Sequence, residues 1–262
     1  EIIAGEIFQI VVSQRWETIF DEADALTLYR ALRSVNPSPY MFLLRTAECT
    51  LVGASPEMLV RVNARRAEAR PIAGTRPRGR SAAEDASLEH SLLDDPKENA
   101  EHLMLVDLGR NDLGRVCRSG SVEVTSFRRV ERYSHVMHLV SDVEGALRDD
   151  CSPVDVFLSC FPAGTVSGAP KIRAMELIDR FEKTRRGPYA GAVAYAGFSG
   201  NLDSCIAIRT IVLANGKAYV QAGAGIVYDS DPAKEFEETV SKSAALRYAA
   251  GLAKELLSKR TR

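Results

Sequence analysis

The chain has 262 residues and 28.7 kDa, with 34 Lys+Arg against 35 Asp+Glu and 45% hydrophobic residues. A formal charge of −1 supplies no basic field for nucleic acid or anionic lipid, and balanced charges among abundant apolar residues argue against disorder. The weakly polar run from Tyr189 to Phe198 is about half of what spans a bilayer, and the opening Glu-Ile-Ile-Ala-Gly lacks a leader pattern, so a cytoplasmic protein without membrane contact is expected.

No repeat, low-complexity tract or Pro/Ser-rich linker divides the sequence, so one domain over 1–262 is expected. Ile7 to Val12 reads as a strand from its β-branched and aromatic residues. Asp24 to Val35 places Leu26, Leu28, Ala31 and Leu32 at helical spacing, and Asn36-Pro37-Ser38-Pro39 stops that helix. Met41–Leu44 and Thr50–Val52 suggest a hairpin, and Met58–Val62 and Ala67–Ile72 continue the β pattern. The middle reads as helical: one helix opens at Pro96 with acids in its first turn, and another runs from Pro153 to about Cys160. A third, from about Pro170 to Phe181, has Ile172, Met175, Ile178 and Phe181 as its expected buried stripe. Strands return at Tyr189–Phe198, Cys205–Leu213 and, after the turn pair Asn215-Gly216, Lys217–Val227. A helix from about Pro232 to Leu257 closes the chain. Runs of strands with grouped helices predict an α+β fold with largely antiparallel sheets, packed as a sandwich with flanking helices.

The five cysteines, Cys49, Cys117, Cys151, Cys160 and Cys205, form no Cys-x-x-Cys pair and read as reduced thiols. Four histidines (His90, His102, His135, His138) include no His-Glu-x-x-His helix, so a metal site would use carboxylates and favour magnesium. Glu235, Glu238 and Lys242 share one helical face, and Glu98 and Glu101 repeat the i, i+3 spacing earlier. Two such helices could clamp one magnesium ion; the same spacing also describes solvated faces with intrahelical ion pairs. Three glycine-bearing turns, Pro71 to Gly79, Phe161 to Lys171 and Gln221 to Ile226, could offer backbone N–H groups to a carboxylate or serve structure alone. Arg209, ending an apolar strand, could capture a carboxylate or sit at a sheet edge with its head in water. Tyr189 and His138 read equally as site residues or as satisfied core side chains.

Taken together, the motifs resemble the chorismate-utilising enzymes along essentially the whole length, most closely the anthranilate synthase branch. The resemblance is carried by Gly5 to Gln9, Asn36 to Met41, Ala54 to Glu57, Pro71 to Gly79, Ala100 to His102 with Val106 to Asp112, Phe161 to Lys171, Gly223 to Gly225, and Glu235 to Lys242. It implies a magnesium ion held by Glu101 and Glu238, with Glu98 and Glu235 on the metal's waters. It also implies a ring carboxylate on the amides of Gly74 and Thr75 near Lys242, and a pyruvyl carboxylate on Tyr189, Arg209 and the amides of Gly223, Ala224 and Gly225. Glu57 matches the family's general acid, and His138 and Thr165 match further catalytic positions.

Two positions discriminate within the family. Relatives that add water carry a lysine base where Gln9 stands, and aminodeoxychorismate synthases typically carry a nucleophilic lysine where Ala73 stands. Gln9 with Ala73 therefore implies an ammonia nucleophile and an anthranilate synthase, the alternatives being a 2-amino-2-deoxyisochorismate synthase, an aminodeoxychorismate synthase-like enzyme, or a silent regulatory module. The implied reaction is a magnesium-dependent amination of chorismate followed by pyruvate elimination, the first step of tryptophan biosynthesis. Ammonia would come from a glutamine amidotransferase subunit. The family's N-terminal region has no counterpart here, so the chain is expected to be a catalytic portion that retains only Pro39, Tyr40 and Met41 of the tryptophan effector pocket.

Overall fold

The computed structural model describes residues 1–133 and 136–260. His135 lies outside the described residues. In chain order the elements are β1 (Gln9–Ile19), α1 (Ala25–Val35), β2 (Tyr40–Arg45), β3 (Thr50–Ser55), β4 (Met58–Asn63), β5 (Arg66–Ala69) and β6 (Ile72–Pro77). Then come α2 (Ala82–Leu93), α3 (Pro96–Gly114), β7 (Glu123–Arg132), β8 (Val136–Ala146), α4 (Pro153–Cys160), β9 (Gly168–Ala169) and α5 (Lys171–Phe181). The last are β10 (Ala192–Ala196), β11 (Leu202–Ile206), β12 (Thr210–Ala214), β13 (Lys217–Ile226) and α6 (Pro232–Arg260). The fold is α+β. No described helix is long and apolar enough to cross a membrane.

Two compact units interleave along the chain. The first comprises Glu1–Glu57, Pro162–Val193 and Cys205–Arg262; the second comprises Met58–Phe161 and Ala194–Ser204. The chain passes between them without a linker, which is why composition shows no boundary.

The first unit holds a six-stranded sheet in the order β2-β3-β12-β13-β1-β9. Its β1–β13, β12–β13, β3–β12 and β2–β3 pairs are antiparallel. Leu28, Ala31 and Leu32 of α1 and Leu246, Ala249 and Ala253 of α6 pack on Val52, Ala54, Ile211 and Leu213 of this sheet. Each large aliphatic chain so buried contributes on the order of 2 kcal/mol relative to exposure. Leu26, by contrast, faces solvent. The turn Asn215-Gly216 joins β12 to β13 with φ of 52° and 70°, the left-handed pair that a two-residue hairpin requires.

In the second unit the order β10-β11-β4-β5-β8-β6, with β7 on β8, makes a seven-stranded sheet. The middle of the chain is thus not wholly helical: the long pair β7–β8 runs antiparallel between α3 and α4. Leu92 of α2 packs with Met137 and Leu139 of β8.

Three further expectations are corrected. On α5 the buried residues are Ala174, Leu177 and Ile178, set against Ile7 and Ile10, while Ile172, Met175 and Phe181 are exposed. A period of 3.6 leaves two apolar stripes possible, and contact with β1 selects one. The run Cys205–Leu213 is not one strand, because the chain leaves β11 in one sheet and enters β12 in the other, with Arg209 at φ 48° at the break. Gly223 and Gly225 do not interrupt β13, which keeps an unbroken register with β1 through them.

Candidate functional site

In the first unit, β13 is flanked by β12 only as far as Val220, opposite Ile211. Beyond that point Gly223, Ala224 and Gly225 pair with Ser13, Val12 and Val11 of β1. Alternate residues of an antiparallel strand turn their N–H groups away from the partner, so this stretch offers amides on the edge that β12 has left. Arg209 stands where β12 diverges, its carbonyl accepting from Ala54 N at 3.0 Å. Burial lowers the Arg209 pKa, while Tyr189, Glu57 and Glu238 pull it back up. Among the described residues its guanidinium makes no ion pair or hydrogen bond. A desolvated cation beside open amides is suited to a carboxylate.

Tyr189 is 7% exposed. Burial pushes its phenol up to about 12, so it stays a hydrogen-bond donor. A side chain on Gly223 would begin 2.9 Å from the Tyr189 hydroxyl, which accounts for glycine there. Lys242 Nζ donates to Gly223 O at 3.2 Å and forms an ion pair with Glu238 one turn away on α6. Asp231 caps that helix by accepting from Ala233 N and Lys234 N, which sets Glu235 and Glu238 in its first turns.

Glu57 follows β3. Burial raises its pKa, opposed by the Thr165 hydroxyl and by the charges of Lys242 and Arg209. Thr165 faces this carboxyl without completing a hydrogen bond of regular geometry. A glutamic acid that keeps its proton beyond the ordinary range can act as a general acid. Tyr40 and Met41 pair with Ser55 and Ala54 of the same strand, with Pro39 just ahead of them. Gln9 is buried at the start of β1, opposite Ala169.

In the second unit, Gly74 at φ 68° makes a bulge in the β6–β8 pairing, between Ala73 and Thr75. His138 Nδ1 lies 2.9 Å from Gly74 O and 3.1 Å from Thr75 Oγ1. Because a carbonyl only accepts, Nδ1 carries a proton and donates it to Gly74 O. Asp95 caps α3, accepting from Lys97 N and Glu98 N, and Pro96 takes the first helical position as the sequence predicts. Arg76 binds Asp95 Oδ2 at 2.8 Å, Glu98 Oε1 at 3.2 Å and Thr75 O at 3.0 Å, linking the bulge to the carboxylates of α3. Buried His102 is 2.7 Å from Ser141 Oγ of β8, and burial drops its pKa to about 4, so it is neutral and structural. No three His, Cys, Asp or Glu residues converge as a metal cage among the described residues. The glutamates one turn apart on α3 and on α6 are hard oxygen donors of the kind magnesium takes in ones and twos, leaving positions for water and substrate, and in that respect they fit it.

Sequence reasoning missed Arg76, Glu182 and Arg186. A charged pair four residues apart reads as a surface pair, and Arg76 carries no local sign of its partners.

Fold and clusters together define an α+β protein with an arginine beside strand amides, an arrangement suited to a carboxylate. The chain belongs to the chorismate binding enzyme family, whose model matches residues 1–248. It is 57% identical over 258 residues to anthranilate synthase component 1 of Geobacillus stearothermophilus, covering 98% of this chain and 51% of that one. With its counterpart in Acetivibrio thermocellus it shares 58% over 242 residues, 92% of this chain and 49% of that one. The chain therefore spans about half the length of these curated relatives. Among solved structures, anthranilate synthase component I from Streptococcus pneumoniae superposes with a TM-score of 0.85 at 46% identity, covering 94% of this chain and 54% of that one. The menaquinone-specific isochorismate synthase from Escherichia coli gives a TM-score of 0.82 at 25% identity, covering 95% and 57%.

Proposed function

We propose that this chain is the catalytic portion of an anthranilate synthase: it aminates chorismate with ammonia and eliminates pyruvate to give anthranilate, at the head of tryptophan biosynthesis in the cytoplasm. The observation that carries the reading is Arg209, partly buried and without an ion-pair partner among the described residues, at the point where β12 leaves the edge of β13 that carries Gly223 and Gly225. The identities near 57% to proteins named anthranilate synthase component 1 support the choice of reaction.

On this reading Arg209, the Tyr189 hydroxyl and the β13 amides take the pyruvyl carboxylate. Gly74, Thr75 and Lys242 serve the ring carboxylate. Glu57 gives its proton to the departing ring hydroxyl, and Thr165 and His138 serve at further catalytic positions. Gln9 and Ala73 leave the site without a base to activate water and without an amine to add to the ring, so ammonia is the nucleophile. Magnesium, served by Glu101 and Glu238 with Glu98 and Glu235 on its waters, would neutralise carboxylate charge and polarise the ring. Ammonia arrives from a glutamine amidotransferase subunit, and Pro39, Tyr40 and Met41 belong to an effector site for tryptophan.

The test is product identification by mass from chorismate, magnesium and ammonium. Anthranilate and pyruvate in equal amounts are expected, with no turnover when glutamine replaces ammonium. Isochorismate, salicylate or 4-amino-4-deoxychorismate as the main product overturns the reading, and so does accumulation of 2-amino-2-deoxyisochorismate without pyruvate.

A further inference from the structure

Arg186 lies outside the residues assigned above, yet Tyr189, the turn that carries Thr165 and the β1 residues opposite Gly223 and Gly225 all lead to it. Its Nε donates to Glu182 Oε2 at 2.9 Å and its Nη2 to Glu182 Oε1 at 2.6 Å, a two-pronged pair. Nη1 donates to Val166 O at 2.6 Å, closing the turn Gly164–Val166 that carries Thr165. Nη2 also donates to Val11 O at 2.6 Å on β1. The guanidinium lies 5.5 Å from the centroid of the Tyr189 ring. Glu182 Oε1 in turn accepts from Ser13 N at 2.9 Å and Ser13 Oγ at 2.7 Å. Val11 and Ser13 are the β1 residues opposite Gly225 and Gly223. The side chains of Arg186 and Glu182 are 15% and 5% exposed, so this is an interior pair and not a surface one.

We propose that Arg186, locked by Glu182, is a positioning residue that sets Tyr189, the Thr165 turn and the Gly223–Gly225 stretch of β13 in register with one another for the substrate's carboxylate. The inference rests on the chorismate reading above. The geometry requires the planar fork: a lysine keeps the charge but reaches one acceptor where arginine reaches three residues at once. A buried pair could equally serve stability alone, and the two roles separate experimentally. Removing one partner leaves an uncompensated charge, whereas replacing both by apolar residues of similar volume is often neutral for stability.

Arg186→Lys and the double variant Glu182→Met/Arg186→Met are compared with the parent chain by steady-state kinetics with chorismate and ammonium, thermal melting, and amide hydrogen exchange. The double variant is expected to melt within a few degrees of the parent. In both, kcat/KM should fall about 100-fold, most of it in KM, because displacements near 1 Å cost that much. In a Tyr189→Phe background Arg186→Lys should cost less than it does in the parent, since part of its effect runs through the Tyr189 hydroxyl. The hydrogen-bonded amides of Val166, Ser167 and Ala190 should lose protection. A KM within about twofold of the parent in both variants, or full additivity with Tyr189→Phe, overturns the proposal. If the parent chain itself fails to turn over chorismate, the functional reading fails, and exchange decides the positioning role: lost protection confined to those amides sustains it, and unchanged protection overturns it.

Discussion

Replacing Gly223 by alanine adds one methyl group at a crowded point of the proposed carboxylate site. The new carbon would lie 2.9 Å from the Tyr189 hydroxyl, 2.9 Å from Val12 O and 3.0 Å from Val11 Cγ1. Ordinary contacts begin several tenths of an ångström further out. Val12 O belongs to the β1 backbone, whose ladder with β13 holds it in place, so the Tyr189 ring must yield. Overpacking of this kind costs about 1–3 kcal/mol, and the lower chain entropy of alanine returns about 0.5–1 kcal/mol. The net loss of up to about 2.5 kcal/mol corresponds to a fall in melting temperature of up to roughly 10 °C for a chain of this size. Displacing the Tyr189 hydroxyl from a substrate carboxylate should also raise the chorismate KM by about 10–100-fold, the worth of a hydrogen bond to a charged group. Gly251, exposed in α6 with nothing within 4 Å of where an added methyl would sit, is the matched control. There the same change should raise the melting temperature by about 2–4 °C through helix propensity and leave KM unchanged. Differential scanning fluorimetry and anthranilate fluorescence measure both quantities. If Gly223→Ala behaves like Gly251→Ala, the close approach of Tyr189 to β13 does not exist.

Glu57→Gln should reduce turnover by about 10²–10⁴-fold and remove the alkaline limb of the kcat profile, since the carboxyl must keep its proton to act as the acid. Because burial raises its folded-state pKa above the unfolded value, Glu57 supports folding below the unfolded value and loses that support as pH rises through the folded one. The glutamine variant should therefore be more stable than the parent at neutral pH and no more stable well below the ordinary glutamate value of 4.5; equal melting temperatures at pH 7 would contradict the desolvation argument. Glu101→Gln should lower magnesium-dependent turnover by orders of magnitude and weaken magnesium binding measured by calorimetry. Unaltered binding, or full activity of the parent in excess chelator, removes Glu101 from the metal site.

Much of this protein is local and therefore readable along the chain. Asp95-Pro96 with Glu98 marks the start of α3, Asn215-Gly216 marks the β12–β13 turn, and the i, i+3 spacing places Glu235 and Glu238 on one side of α6. These depend on capping, turn conformation and helical period, which a few neighbouring residues settle. The positions proposed for the site were likewise named from the sequence, because motif residues keep their order and spacing there. Tertiary structure decided what depends on partners distant in the chain. Contact with β1 chose which stripe of α5 is buried, and a change of sheet turned an apparent strand into a break at Arg209. Desolvation raised the Glu57 pKa, and only folding brought Arg186 against Val11, Val166 and Tyr189 at once. Burial, charge environment and the end of a β ladder are properties of what packs against a residue, and a linear pattern does not contain them.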